Sequence, residues 1–227
     1  MKAFLITGTD TGAGKTRFAC LLGSRLAAEG IAVSPFKPVE SGCAPGPGGA
    51  PFPGDAAALR DAIAPGMSLS EICPHPLAAA LSPHLAARRA GVSIAPGRIR
   101  EAAAAAAGSS EVFLVEGAGG IAVEICEGYA FADLARDLSL SVLVVAENRL
   151  GVLNHLRLTM RYLESEGLAV AGVVLNDRSA DPFPAREANE AEVARISGDR
   201  FLGRIPYGAV SLPEDSYRRF RRRFLTT

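Results

Sequence analysis

Lysine is nearly absent from this chain: 227 residues carry three, Lys2, Lys15 and Lys37, and the other strongly basic side chains are arginines. A lysine at position 15 or 37 supplies a compact ammonium on a flexible stem, which arginine does not imitate. Net charge is missing as well, since 24 basic and 24 acidic side chains cancel. That balance argues against nucleic acid or an anionic membrane surface as the main partner. No run of about 18 apolar residues occurs, so no membrane-spanning helix is expected. Four cysteines, Cys20, Cys43, Cys73 and Cys126, have no paired spacing. They fit reduced thiols in the cytoplasm better than a disulfide frame or a zinc site. His75 and His155 show no metal spacing either. The N-terminal stretch Met1–Thr7 is too short for a signal peptide and reads as a strand. Linkers and internal repeats are also lacking, so residues 1–227 are expected to form a single α/β domain.

What is present is ordinary for a globular protein, 48% hydrophobic and 21% charged. Strand-like and helix-like segments alternate. This predicts a mostly parallel central sheet flanked by helices on both faces. Expected strands are Ala3–Ile6, Ile31–Phe36, Val112–Val115, Val142–Ala146, Val170–Leu175 and Phe201–Ile205. Expected helices follow Lys15, run from Ala56 to Ile63 behind an Asp55 cap, and cover Leu77–Ala90 with a break near Ser82-Pro83. Further helices begin at Pro96, carrying the strong helix former Ala102–Ala107, and at Val152, reaching Leu163. Residues Gly42–Gly54, rich in Pro and Gly, read as loop. The basic run Arg218–Arg223 reads as the solvated face of a terminal helix.

The most informative stretch is Ala3 to Thr16. An apolar strand leads into a small-residue loop, Gly8–Gly14, then Lys15-Thr16 and a helix patterned by Phe18, Leu21, Leu22 and Leu26. Strand, glycine loop and helix form the context of a phosphate-binding loop. Its N–H groups and the helix N-terminus face an anion, Lys15 reaches the outer phosphates, and the Thr16 hydroxyl can ligate Mg²⁺. The strict spacing is broken at one place: Thr9 stands where a glycine is usual, and Gly8 is one position early.

In an open α/β sheet, ligands gather beyond the carboxyl ends of the strands. Five polar or glycine-bearing turns fall there: Gly8–Thr16, Lys37–Gly42, Glu116–Gly120, Asn176-Asp177 and Pro206-Tyr207-Gly208. Glu116 and Asp55 are carboxylates that could join Thr16 around Mg²⁺, which takes few protein ligands. The Asn176 amide both donates and accepts, as a purine edge requires. It lacks the Lys-x-Asp sequence used by guanine-binding GTPases, which favours adenine.

The motifs Gly8-Thr-Asp-Thr with Gly14-Lys-Thr, Lys37-Pro-Val-x-Ser-Gly, Ser82-Pro-His84, Val115-Glu-Gly-Ala-Gly-Gly120, Leu150-Gly-Val-Leu-Asn-His155 and Asn176-Asp177 resemble the dethiobiotin synthetase family. The resemblance covers residue 3 to about 208. It implies a reaction in which 7,8-diaminononanoate, CO₂ and ATP give dethiobiotin, ADP and phosphate with Mg²⁺, through a carbamate and a carbamic–phosphoric anhydride. Lys37, Lys15 and Thr11 are the implied catalytic groups. ATP would be held by Gly12, Ala13, Gly14, Lys15, Thr16 and Arg17 in the loop, and by Asp55, Glu116, Gly117, Ala118 and Gly119 beside it. Asn176, Asp177, Pro206, Tyr207 and Gly208 would surround the base. Ser41 and Lys37 would meet the substrate, together with Leu150, Gly151, Val152 and Asn154 from a partner subunit, which implies a homodimer. The metal set would be Thr16, Asp55 and Glu116.

Departures from the family pattern are Gly12, where some relatives carry an acid, and Glu40, at the variable place of the Lys37 motif. Glu40 could sit beside the diamine but is expected to face solvent, and His84 to be structural or near the substrate rather than a base. Two other classes share this plan. A partitioning-type switch ATPase usually has a lysine early in the loop, and positions 9–13 here have none. An amidating ligase needs a glutaminase domain, for which the chain is short.

Overall fold

The computed structural model describes residues 1–180 and 185–225. The six long apolar runs become six strands: β1 (Lys2–Gly8), β2 (Val33–Phe36), β3 (Val112–Gly120), β4 (Ser141–Glu147), β5 (Val170–Asn176) and β6 (Phe201–Ile205). They form one parallel sheet in the order β6-β5-β4-β1-β3-β2. Both faces are covered, which is why the strands read as unbroken apolar runs rather than alternating ones. Leu5, Val115, Val142 and Val144 point into one layer, and Phe4, Ile6, Leu143 and Val145 into the other.

The first layer packs under α4 (Pro83–Ala90), α5 (Pro96–Ala107), α6 (Phe131–Asp137), α7 (Val152–Ser165) and α8 (Arg186–Ser197). The second packs under α1 (Lys15–Ala28), α2 (Gly54–Ile63), α3 (Leu69–Ile72) and α9 (Glu214–Phe224). In α9 the predicted amphipathic pattern holds: Tyr217 and Phe220 are buried, while Arg218, Arg219 and Arg221–Arg223 are exposed. From β1 the chain order of strands runs outward in opposite directions, so a crevice opens beyond Gly8.

Four expectations need correction. β3 does not stop at Val115 but runs through Glu116–Gly120, where Gly120 pairs with Gly8 of β1. The small residues there let the two backbones approach. The Leu77–Ala90 helix begins only at Pro83, because Leu77 pairs with Ser41 in a short parallel bridge. Gly42–Gly54 is not all loop: Ala44–Pro45 and Pro51–Phe52 form a small antiparallel pair. Finally, Asp55 does not cap its helix: α2 starts at Gly54, with Pro53 at the cap position.

Candidate active site

The loop after β1 is shaped by Gly14. Its φ of 97° is left-handed, and a Cβ there would collide with the Asn176 amide. α1 begins at the next residue and has no side-chain cap, so its first N–H groups remain available to an anion. Beside the loop lies a cleft of ≈ 610 Å³. Thr11, Gly12, Gly14, Lys15, Thr16 and Arg17 line it from the loop. Lys37, Ser41 and Asp55 line it on one side, and Glu116, Ala118 and Gly119 on the other.

At its floor is a charged cluster drawn from four elements. The Lys37 ammonium is 2.6 Å from Glu116 Oε1 and 3.0 Å from Asp55 Oδ2. The Thr16 hydroxyl donates to the same Glu116 oxygen at 2.8 Å. Lys37 and Glu116 are 2% and 1% exposed, whereas the Asp55 side chain is 45% exposed. Burial works against the Lys37 ammonium, but Glu116 and Asp55 outweigh it and hold its pKa above the ordinary lysine value. Lys15 goes the other way: burial, then repulsion from Lys37, lowers its pKa. Asp55 is pushed up by burial, yet the charge and hydrogen bond of Lys37 leave it below the usual aspartate value.

Glu116 Oε2 is buried and has no hydrogen-bond partner among the described residues. An orphaned carboxylate oxygen beside a hydroxyl and a second carboxylate is a hard-oxygen donor set suited to Mg²⁺, with phosphate and water completing the shell. Among the described residues no group of three or more His, Cys, Asp or Glu side chains gathers as a metal cage.

The residues expected around the base form a different assembly. Arg17 donates to Asn176 Oδ1 at 2.9 Å, to the Asp177 carbonyl at 3.3 Å and to the Pro206 carbonyl at 2.7 Å. Asn176 is fully buried, and its amide donates to the Ala13 carbonyl at 2.8 Å. The Asp177 carboxylate accepts from Asn148 at 2.7 Å and from Arg204 at 2.8 Å, so its side chain is committed to the framework. Asn189 extends this network by donating to Asn148 Oδ1. Gly117 packs against Phe131, behind the cleft. Tyr207 is largely exposed, in the loop beyond β6.

Leu150, Gly151, Val152 and Asn154 do not line the cleft. They form the entry to α7, with Gly151 in the left-handed region, Val152 buried and Leu150 83% exposed. The preceding Arg149 reaches the phosphate loop through Asp10 at 2.9 Å.

Several cleft residues escaped the sequence reading. Arg178 lines the cleft and was signalled only by its place after Asn176-Asp177. Ala80 and Leu81 also line it, beside Ser82 and Pro83 of the motif already singled out. His84 holds that wall, with Nδ1 3.3 Å from Ser82 Oγ and Nε2 3.7 Å from Glu124. Glu40 is the clearest correction: it is buried and lines the cleft rather than facing solvent.

A family model described as an AAA domain matches residues 2–214. The "ATP-dependent dethiobiotin synthetase BioD" of Anaeromyxobacter sp. (strain Fw109-5) is 42% identical over 91% of this chain and 91% of its own length. The protein of the same name from Bacillus subtilis (strain 168) is 34% identical over 91% of this chain and 87% of its own. Among solved structures, a ParA family ATPase from Chlorobium tepidum TLS has a TM-score of 0.51 at 15% identity, covering 98% of this chain and 90% of that one. A nucleotide-binding protein with ADP from Archaeoglobus fulgidus also has a TM-score of 0.51, at 16% identity, covering 96% of this chain and 85% of that one. These two share the fold alone. The family model and the relatives' identity across nine-tenths of the sequence place this chain in the ATP-dependent dethiobiotin synthetase family of P-loop ligases.

Proposed function

We propose that this protein carboxylates 7,8-diaminononanoate with CO₂ and closes the ureido ring of dethiobiotin at the expense of ATP. The single observation carrying the reading is the floor cluster: the buried Lys37 ammonium lies 2.6 Å from Glu116 and 3.0 Å from Asp55, in the cleft that Lys15 also lines. A carbamate and a γ-phosphate repel each other, and the reaction has to bring them together. Lys15 and Lys37 neutralise that repulsion and the charge spread over the transferring group. One substrate amine adds to CO₂ and loses a proton, giving the carbamate. A carbamate oxygen takes the γ-phosphoryl group and ADP leaves. The second amine attacks the carbonyl of the resulting anhydride, the ring closes, and phosphate departs. No activated protein nucleophile is needed, so positioning carries the catalysis.

Thr11 and Ser41 hydrogen-bond the carbamate or the substrate amine. Thr16, Asp55 and Glu116 Oε2 would hold Mg²⁺, which when bound supplies positive charge to the phosphates. Arg17, Asn176 and the loop Pro206–Gly208 frame the adenine. Asn176 can offer it one N–H and one lone pair beyond the bonds to Ala13 and Arg17. The exposed entry to α7, Leu150–Asn154, lies outside this chain's cleft, which favours its use by a second copy. There the helix N-terminus meets the distal carboxylate of the substrate, in a homodimer with shared sites. Residues 1–227 act as one domain in this reading, because strands from Lys2 to Ile205 share one sheet.

The test is ADP release measured with diamine and bicarbonate together and with each omitted. Release that requires both is expected. Release indifferent to the diamine would overturn ring closure and favour a nucleotide switch.

A further inference from the structure

Glu40 has no task in the reaction above, yet it is 7% exposed. Burial raises its carboxyl pKa, opposed in part by hydrogen bonds from the Asp55 and Ala56 backbone and by the Lys37 charge. A buried acid requires partners. Both oxygens of Glu40 find them at the same helix end. Oε1 accepts from the Asp55 N–H at 3.0 Å and Oε2 from the Ala56 N–H at 3.1 Å. α2 has no side-chain cap of its own, since Pro53 occupies the cap position. Glu40 therefore satisfies two of its orphan donors from a distant strand end and places a negative charge on the helix dipole.

The bonded residue is also the one whose side chain returns to Lys37, at 3.0 Å. Lys37 and Glu40 belong to one short segment. That segment is itself anchored: the Lys37 N–H donates to the Ile72 carbonyl at 2.8 Å and the Glu40 N–H to the His75 carbonyl at 3.1 Å. Asp55 is thus gripped twice from the same segment, by its carboxylate and by its backbone.

We propose that Glu40 is a positioning residue: by capping α2 it fixes the Asp55 carboxylate at the metal side of the cleft before nucleotide arrives. The inference rests on the reading of Asp55 as a Mg²⁺ ligand. Hydrogen-bonded partners of ligating carboxylates commonly contribute about 10- to 100-fold in metal affinity.

The test compares wild type, Glu40→Ala, Glu40→Gln, Asp55→Asn and the double variant Glu40→Ala/Asp55→Asn. Circular dichroism checks folding, and calorimetry measures ADP affinity with and without Mg²⁺. Glu40→Ala is expected to leave the Mg²⁺-free affinity nearly unchanged and to cut the gain from Mg²⁺ by about tenfold. Glu40→Gln, which keeps the shape and one acceptor, should lie between and serves if Glu40→Ala does not fold. In the Asp55→Asn background, loss of Glu40 should cost nothing more. If Asp55→Asn loses the gain while the folded Glu40 variants keep it, the role of Glu40 is overturned. The same holds if Glu40→Ala costs as much in the double variant as alone. An Asp55→Asn protein with the full gain would overturn the metal reading and this inference together.

Discussion

The two halves of the nucleotide side of this molecule differ in how complete they are. Around Lys37, ammonium and carboxylate groups are buried together, the Lys15 charge is disfavoured by burial and then by Lys37, and one Glu116 oxygen has no hydrogen-bond partner among the described residues. Around Asp177, both carboxylate oxygens, two asparagine amides and Arg204 close on one another. The first half is an electrostatic arrangement that an anion and a cation would finish. The second is already finished and serves as a frame. Substitutions in the first should remove chemistry, and those in the second should remove stability.

The sharpest way to break this contrast is Lys37→Ala. Phosphoryl transfer in a single-turnover assay should fall by about 10²- to 10³-fold, the range for removing one preorganised charge-stabilising donor, while ADP affinity changes little. Parent-level turnover would strip Lys37 of its role. Next comes Asp177→Ala, which leaves Arg204 and Asn148 short of a partner. Urea unfolding should show a loss of about 3 kcal/mol, with turnover per folded molecule retained. A large loss of turnover at full stability would move Asp177 into the reactive half.

Asn176→Ala tests the border between the halves. A nucleotide panel should show the preference for ATP over GTP narrowed by about three- to tenfold, the value of a hydrogen bond to a base edge. An equal loss for both nucleotides would assign Asn176 to the frame alone. The smallest effect concerns the order of lysine modification. About one unit below the ordinary lysine value of 10.5, more of Lys15 than of Lys37 is neutral, because the first is lowered and the second raised. An acylating reagent followed by peptide mapping should therefore modify Lys15 before Lys37. The reverse order would contradict the charge arrangement.

Most of the scaffold was legible because buried parallel strands leave continuous apolar runs. Phe201–Ile205 was read to the residue and four other strands within two positions at each end, while β3 runs five residues beyond its expected end. The charged cluster was legible from Lys37 and Glu116 because lysine is so rare here and because small residues follow Glu116. What stayed hidden was mostly partnership at long sequence range. Nothing local tells that Glu40 caps a helix that starts 14 residues later, or that Asn148, Asp177, Asn189 and Arg204 converge. Asp55 looked like a self-sufficient helix cap, and the true acceptor came from another strand end. The α3 start was legible in principle, since Ser68 and Glu71 form a reciprocal capping box.

The pairing of β1 with β3 carries one last consequence. From Ile6–Glu116 to Gly8–Gly120, one strand advances two residues and the other four. The surplus lies in Gly117-Ala118-Gly119, between the acid on the cleft floor and the glycine that rejoins the sheet. That tripeptide works as a ruler, its length setting where Glu116 stands relative to Thr16. Shortening it by a single residue would set the Ile6–Glu116 pairing against the Gly8–Gly120 pairing, so that only one of them could be kept. Within it the tightest place is Gly119, whose left-handed φ of 67° and nearness to Val123 leave no comfortable room for a side chain.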